Sequence, residues 1–282
     1  MPVKIDANGF RFVEAEVQVP GTPEEVWHAI ASGPGISSWF VPTTLDGQVG
    51  GVTTSDFGPG MESRATITAW DPPHFYAAES KDDMDNMGAD DPNVATEWHV
   101  ETDAGGACTV RVVHRWFTSK DDWDAQFEGH TYGWQAFFRI LHLYLEHFAG
   151  QDAASLQVMG AAPEPKEEAW QALMTALGFP RAEMGERIST ANGAPAMTGV
   201  VVWAGQPFWP EELLLRIEEP LPGIAHFSSH PMGGTVYLAL RIFYFGAGTD
   251  DAAARDEARW QEWVNARFPI PSQESAEASD AA

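Results

Sequence analysis

Cysteine occurs once in the 282 residues, at Cys108, so no disulfide can form within the chain and no Cys-rich zinc motif is possible. Lysine is almost as scarce: Lys4, Lys81, Lys120 and Lys166 stand beside twelve arginines, and alanine is abundant. That bias matches GC-rich bacterial genomes. Against the 16 bases stand 41 acids, for a formal net charge of -25. Residues 1–150 carry 8 basic and 23 acidic side chains and the remainder 8 and 18, so neither half hides a basic module. A surface of this sign repels phosphate backbones and anionic headgroups, which argues against nucleic acid and bare membrane as partners. No apolar run approaches the roughly 20 residues of a membrane helix. The opening MPVKIDANGF lacks the apolar segment of a secretory signal, and a cytoplasmic location is expected.

The motifs of common catalytic chemistry are missing too. There is no G-x-S-x-G elbow, no phosphate-binding loop and no dinucleotide fingerprint. His99, His130, His142 and His147 show no paired ligand spacing, so neither metal nor cofactor is expected. Asp83-Met84-Asp85-Asn86-Met87-Gly88 resembles the start of a calcium loop. Met87 occupies a ligand position, however, and Val94 stands where the bidentate Glu belongs, so a solvated acidic loop is expected.

What the sequence does hold is pattern. Phe12–Pro20 alternates apolar and polar residues as a half-buried strand does. Thr22, Pro23 and Glu25 then supply a cap, a first-turn proline and the return acceptor of a capping box, and Val26, Trp27 and Ile30 form an apolar stripe. Gly33-Pro34-Gly35 is expected to end this helix, leaving one further turn over Ile36–Phe40. Strands are expected at Glu62–Trp70, His74–Ser80, Val94–Thr102 and Ala107–Phe117, with a weaker pair inside Thr43–Phe57. Gly58-Pro59-Gly60 reads as a turn. Trp134, Phe137, Phe138, Leu141, Tyr144, Leu145 and Phe148 recur at three- and four-residue steps, the face of a long helix. The class is α+β.

The second half repeats this order loosely. Glu24–Ile30 (EEVWHAI) returns as Glu167–Leu173 (EEAWQAL). Strand-like runs follow at Thr198–Ala204, Glu212–Glu218, Gly223–Ser228 and Thr235–Phe245, then a helix over Asp250–Phe268 with Trp260, Val264 and Phe268 on one face. The expected organisation is a first domain at 1–150, a second, degenerate copy at 151–270 with the linker near Gly150–Ser155, and a disordered tail at 271–282.

Four segments in order, VPGTPEEVWHAI, SSWFVP, ATITAWDPPHFY and GWQAFFRILHLYLEHF, resemble the START/Bet v 1-like (SRPBCC) superfamily. The resemblance lies closest to the branch of the C-terminal domain of the activator of Hsp90 ATPase. It implies a helix-grip fold, a curved antiparallel sheet around a long C-terminal helix with an internal cavity, here in two tandem copies. Trp27 would pack the short helix, and Trp39-Phe40 would close one end of the grip. The cavity would be lined by Trp39, Phe57, Ile67, Trp98, Val112, His114, Trp116, Trp134, Phe137, Phe138 and Leu141. A lone histidine or an aromatic stripe is commonly plain core; the family's open cavity is what makes a binding site of these.

Three functions follow from the resemblance. The first is non-catalytic binding of a hydrophobic aromatic or polyketide-like molecule, as carrier, sequestering protein or natural-product self-resistance factor. In an enediyne self-sacrifice version of that role, Gly129 and Gly133 would be the cleaved positions. The second is an aromatase/cyclase-type enzyme with His114 as general acid/base. The third is a cochaperone-like protein, whose protein partner the resemblance does not specify.

Overall fold

Helix α1 (Pro23–Ala31) begins as its sequence requires. The Thr22 hydroxyl accepts from the Glu25 N–H, the Glu25 carboxylate accepts from the Thr22 N–H at 2.8 Å, and Pro23 fills the first turn. Such a cap contributes about 1 kcal/mol. The structure, a computed structural model, describes residues 3–6, 9–57, 62–80, 94–103, 105–116, 124–163, 165–206, 209–232 and 234–270, without the side chains of 116, 124–132, 206 and 232. The acidic loop at 83–88, the turn at 58–60 and the tail at 271–282 lie outside the described residues. The chain divides into two units, residues 1–151 and 152–282. No described helix is long and apolar enough to cross a membrane.

In the first unit the break after α1 differs from expectation. The glycine-proline-glycine run does not end a helix; it is the first turn of the next one, α2 (Gly33–Ser37). Ser32 is the break. Its backbone is extended and its hydroxyl accepts from the Gly35 N–H at 3.0 Å, while Pro34 suits a first turn that needs no N–H donor. Gly35 is required by space, because a Cβ there would lie 2.0 Å from the His28 carbonyl oxygen.

Eight antiparallel strands form the first sheet: β1 (Lys4–Ile5), β2 (Arg11–Val19), β3 (Thr43–Leu45), β4 (Val52–Asp56), β5 (Glu62–Asp71), β6 (Phe75–Ser80), β7 (Val94–Thr102) and β8 (Cys108–Trp116). Their spatial order is β1-β2-β8-β7-β6-β5-β4-β3. The first long strand therefore lies beside the last, and the intervening strands run as a meander. Helix α3 (Asp124–His147) follows and packs against β2. The alternation in β2 places Val13, Ala15 and Val19 in the core. On α3, Phe138, Leu141, Tyr144, Leu145 and Phe148 are buried, so the three- and four-residue spacing reads the buried face correctly.

The second unit repeats the plan with six strands. Strand β9 (Ala153–Pro163) precedes α4 (Lys166–Leu177). It is followed by β10 (Arg187–Ser189), β11 (Thr198–Gln206), β12 (Trp209–Glu219), β13 (Gly223–Met232), β14 (Thr235–Phe245) and α5 (Thr249–Asn265). The order β10-β11-β12-β13-β14-β9 again sets the first strand beside the last, over eleven residue pairs from Thr235↔Pro163 to Phe245↔Ala153. The seven-residue match of the sequence falls on α1 and α4, each the helix after its unit's first long strand. The fold is thus α+β, a helix grip in two copies. Strand β9 corrects the expected linker at Gly150–Ser155, since the strand already begins at Ala153. Its AASLQVMGAAP carries little bulk at either face, so the period of two is faint. Gly160 is one reason: a Cβ there would meet Val264 and Phe268 within 2.8 Å.

Candidate ligand cavity

Strands β7 and β8 pair so that Trp98 lies opposite Val112 and Thr96 opposite His114. The period of two turns this face toward α3. There Trp98 meets Trp134 edge-on at 5.3 Å between centroids and Phe138 at 6.2 Å. From the other side α2 delivers Trp39 and Phe40. Trp39 is 1% exposed and anchored by its indole N–H, which donates to the Ala29 carbonyl at 2.9 Å. Phe40 touches Phe57 at 5.6 Å and Phe137 at 4.5 Å, and lies flat on Trp134. The indoles around the broken helix thus divide into two groups. Trp27 packs α1 onto the sheet, against Trp70 and Tyr76 at 5.1 and 5.8 Å, whereas Trp39-Phe40 faces the interior.

These rings enclose a cavity of about 130 Å³. Its aromatic walls are Trp39, Phe40, Phe57, Tyr76, Trp98 and Trp134. Ile36, Ala65 and Ala78 add aliphatic surface, and Thr53, Ser55, Ser63, Thr96 and His114 add polar groups. Five of the residues expected from sequence therefore line it together: Trp39, Phe57, Trp98, His114 and Trp134. The others whose side chains are described stand behind the wall. Ile67, Val112 and Leu141 are fully buried in the core, Phe138 backs Trp98 and Trp134, and Phe137 backs Phe40. Trp116 ends β8 opposite Val94, and its side chain lies outside the described residues. Gly129 and Gly133 both fall within α3. At Gly133 no heavy atom of the described residues lies within 4 Å of where a Cβ would sit; the surroundings of Gly129 are outside the described residues.

Sequence reasoning did not place Phe40, Tyr76 or Thr96 on the wall. The alternation of β7 puts Thr96 on the face of Trp98, which was the available signal. Tyr76 is the cross-strand neighbour of Trp98 on the same sheet face, and placing it needed the register Tyr76↔Trp98.

Two polar groups at the wall are held by hydrogen bonds. Tyr76 is buried and its hydroxyl donates to the Ile30 carbonyl at 2.9 Å. Burial raises its pKa far above the ordinary tyrosine value, so it stays neutral. His114 Nδ1 and Thr96 Oγ1 share a hydrogen bond of 2.7 Å. The site can therefore offer a ligand ring faces, hydroxyls and one imidazole. Among the described residues no group of three His, Cys, Asp or Glu side chains is placed to hold a metal ion.

The second unit differs at this point. Trp170, Met174, Phe179, Phe227, Trp260 and Trp263 form one continuous buried cluster between its sheet and helices. Its chemistry lies on the opposite sheet face, where the Glu212 carboxylate accepts from the half-buried Trp203 indole at 3.0 Å and sits 3.2 Å from His226 Nε2, Glu212 and His226 both buried.

An antiparallel sheet followed by a helix, over an aromatic cavity in the first unit, defines the α+β helix-grip class of fold. Residues 12–142, within the first unit, match the family described as polyketide cyclase / dehydrase and lipid transport. No curated protein matches the chain. Among solved structures it is similar to CalU16 from Micromonospora echinospora, with 16% identity, 52% of this chain and 83% of that one covered, and a TM-score of 0.40. DynU16, described as a putative protein in the dynemicin biosynthetic locus, is 17% identical over 90% of this chain and 95% of its own, with a TM-score of 0.41. The Aha1 dimer from Colwellia psychrerythraea is 18% identical over 48% of this chain and 96% of its own, with a TM-score of 0.41.

Proposed function

We propose that the first unit binds an apolar aromatic small molecule in its cavity without transforming it, as a carrier or sequestering protein. The observation that carries this reading is the lining: six aromatic rings, three aliphatic side chains, three hydroxyls from β4 and β5 and one hydrogen-bonded imidazole–hydroxyl pair. Apolar walls with few placed polar groups are the common lining of small-molecule sites. The volume refines the ligand. A dry cavity of about 150 Å³ admits benzene, so about 130 Å³ suits one ring as it stands. A polycyclic or polyketide-like ligand enters only if Phe40 and Trp134 part.

Calorimetric titration of the full chain with phenol and with 2-naphthol tests the proposal, and the single ring should bind more tightly. Micromolar binding corresponds to about -8 kcal/mol. Trp134→Ala should weaken it by about 1–3 kcal/mol, the range for an aromatic anchor. Binding unchanged in that variant removes the assignment.

A second reading rests on the Thr96–His114 pair, which gives an aromatase/cyclase-type enzyme an imidazole held in place at the cavity wall. Natural-product self-resistance is a special case of the binding reading. Its motive is Gly133, the neighbour of Trp134, whose Cβ position no heavy atom of the described residues approaches within 4 Å. Intact-mass analysis after exposure to an activated enediyne separates it from plain sequestration: a single break near residues 125–135 supports it, and an uncut chain removes it.

A further inference from the structure

The second unit carries a groove of about 590 Å³ that the cavity of the first unit does not share. Its size falls within the roughly 300–1,000 Å³ of small-molecule sites. Small side chains make the space: Ala169 and Ala172 on α4 face Ala161 and Ala162 at the end of β9. Phe268 closes the floor. It is 8% exposed, and its carbonyl accepts from the Ala161 N–H at 2.9 Å, which fixes the segment after α5 to the edge of β9.

At the rim stands Arg267. Its guanidinium lies over the Trp263 ring at 4.7 Å and donates to the Asn192 carbonyl at 3.0 Å and the Trp263 carbonyl at 3.4 Å. All three partners are neutral. Among the described residues no carboxylate pairs with it, in a chain that carries 41 acids and 16 bases. A cation held in place by backbone and ring, with its charge uncompensated, at the edge of an apolar groove is complementary to one class of molecule. We infer that the groove binds an apolar carboxylic acid, its body between α4 and β9 and its carboxylate on Arg267. Glu168, on the α4 wall, repels the acid end and fixes that orientation. A charge-assisted bond of guanidinium to carboxylate supplies the selectivity.

The test is calorimetric titration of the full chain with anthracene-9-carboxylate and with its neutral counterpart, 9-anthracenemethanol. The acid should bind at least about tenfold more tightly than the alcohol, as one charge-assisted hydrogen bond allows. Arg267→Gln should abolish that preference and leave alcohol binding in place. Ala172 is exposed, so Ala172→Trp fills the groove without disturbing the core and should weaken both ligands about tenfold or more. Trp134→Ala, in the other unit, should leave both affinities unchanged, which keeps this site separable from the first-unit cavity. Equal binding of acid and alcohol, affinity unmoved by Ala172→Trp, binding lost in Trp134→Ala alone, or no binding of the acid up to its solubility limit would each overturn the inference.

Discussion

Phe40 and Trp134 lie face to face, their centroids 5.6 Å apart and their planes 13° from parallel. One ring comes from the turn after α2 and the other from α3, so this contact joins the two elements that bound the cavity. Removing the smaller ring enlarges the space without touching the indole. Phe40→Ala should cost the first unit about 3 kcal/mol, the range for deleting a packed phenyl ring. It should also relax the preference for a single ring, so that 2-naphthol gains affinity relative to phenol. Urea unfolding and titration on the same variant measure both. A stability loss with no change in preference would mean that Phe40 is core and not wall.

The Thr96–His114 hydrogen bond separates binding from catalysis. Thr96→Val keeps the shape of the side chain and removes the hydroxyl at 2.7 Å from Nδ1. For a binding protein, Thr96→Val and His114→Ala change affinity by about 1 kcal/mol, the net worth of one hydrogen bond. For a cyclase, His114→Ala abolishes turnover of a poly-β-keto substrate while the wild type turns it over. Product analysis with the wild-type chain decides; any His114-dependent product removes the non-catalytic reading.

Much of the architecture was written in periodicity, and the reasons are local. The capping box at Thr22–Glu25, the alternation in β2, β7 and β8 and the helical stripe from Trp134 to Phe148 each depend on residues close in sequence. Strand β9 was missed because Ala, Ser and Gly blur its alternation. The role of Gly33-Pro34-Gly35 was misread because a proline is equally at home after a helix and in the first turn of one; Ser32, extended and capping, decides between them. For the cavity, sequence grouped residues by face but not by depth. Ile67 and Leu141 share faces with lining residues yet lie behind them, and only the cross-strand register and the approach of α2 separate the two sets. The groove of the second unit had no sequence signal, since it is made of alanines brought together from α4 and β9.

Two glycines offer opposite outcomes for the same substitution. A Cβ on Gly35 would collide with the His28 carbonyl oxygen at 2.0 Å, and both atoms belong to the packed α1–α2 junction. Gly35→Ala should therefore destabilise the first unit by about 3 kcal/mol, at the upper end of overpacking costs. Gly133 is within a helix, with open space among the described residues at its Cβ position, so Gly133→Ala should stabilise by about 0.5–1 kcal/mol. Urea midpoints of the two variants check this, and shifts of the same sign would contradict it.

Alkaline pH probes the cavity wall from within. Tyr76 is 4% exposed, and burial holds its phenol neutral well above the ordinary pKa of 10.0. In the unfolded chain the same group ionises near that ordinary value. Between the two pKa values the unfolded state has lost a proton that the folded state keeps, so stability falls as pH rises. Below the unfolded pKa both states are protonated and the contribution is constant. Above it the loss is about 1.4 kcal/mol per pH unit for each such tyrosine. Tyr244 in the second unit, raised by burial and by the nearby Asp256, should behave likewise for its own unit. Tyr76→Phe removes the titrating group but also the hydrogen bond to the Ile30 carbonyl, a loss of about 1 kcal/mol at neutral pH. The variant should therefore start less stable than the wild type at pH 8 and lose less stability by pH 11. Urea unfolding of the first unit across that range measures the difference in slope; parallel curves for variant and wild type would show that Tyr76 titrates in the folded protein as it does in water.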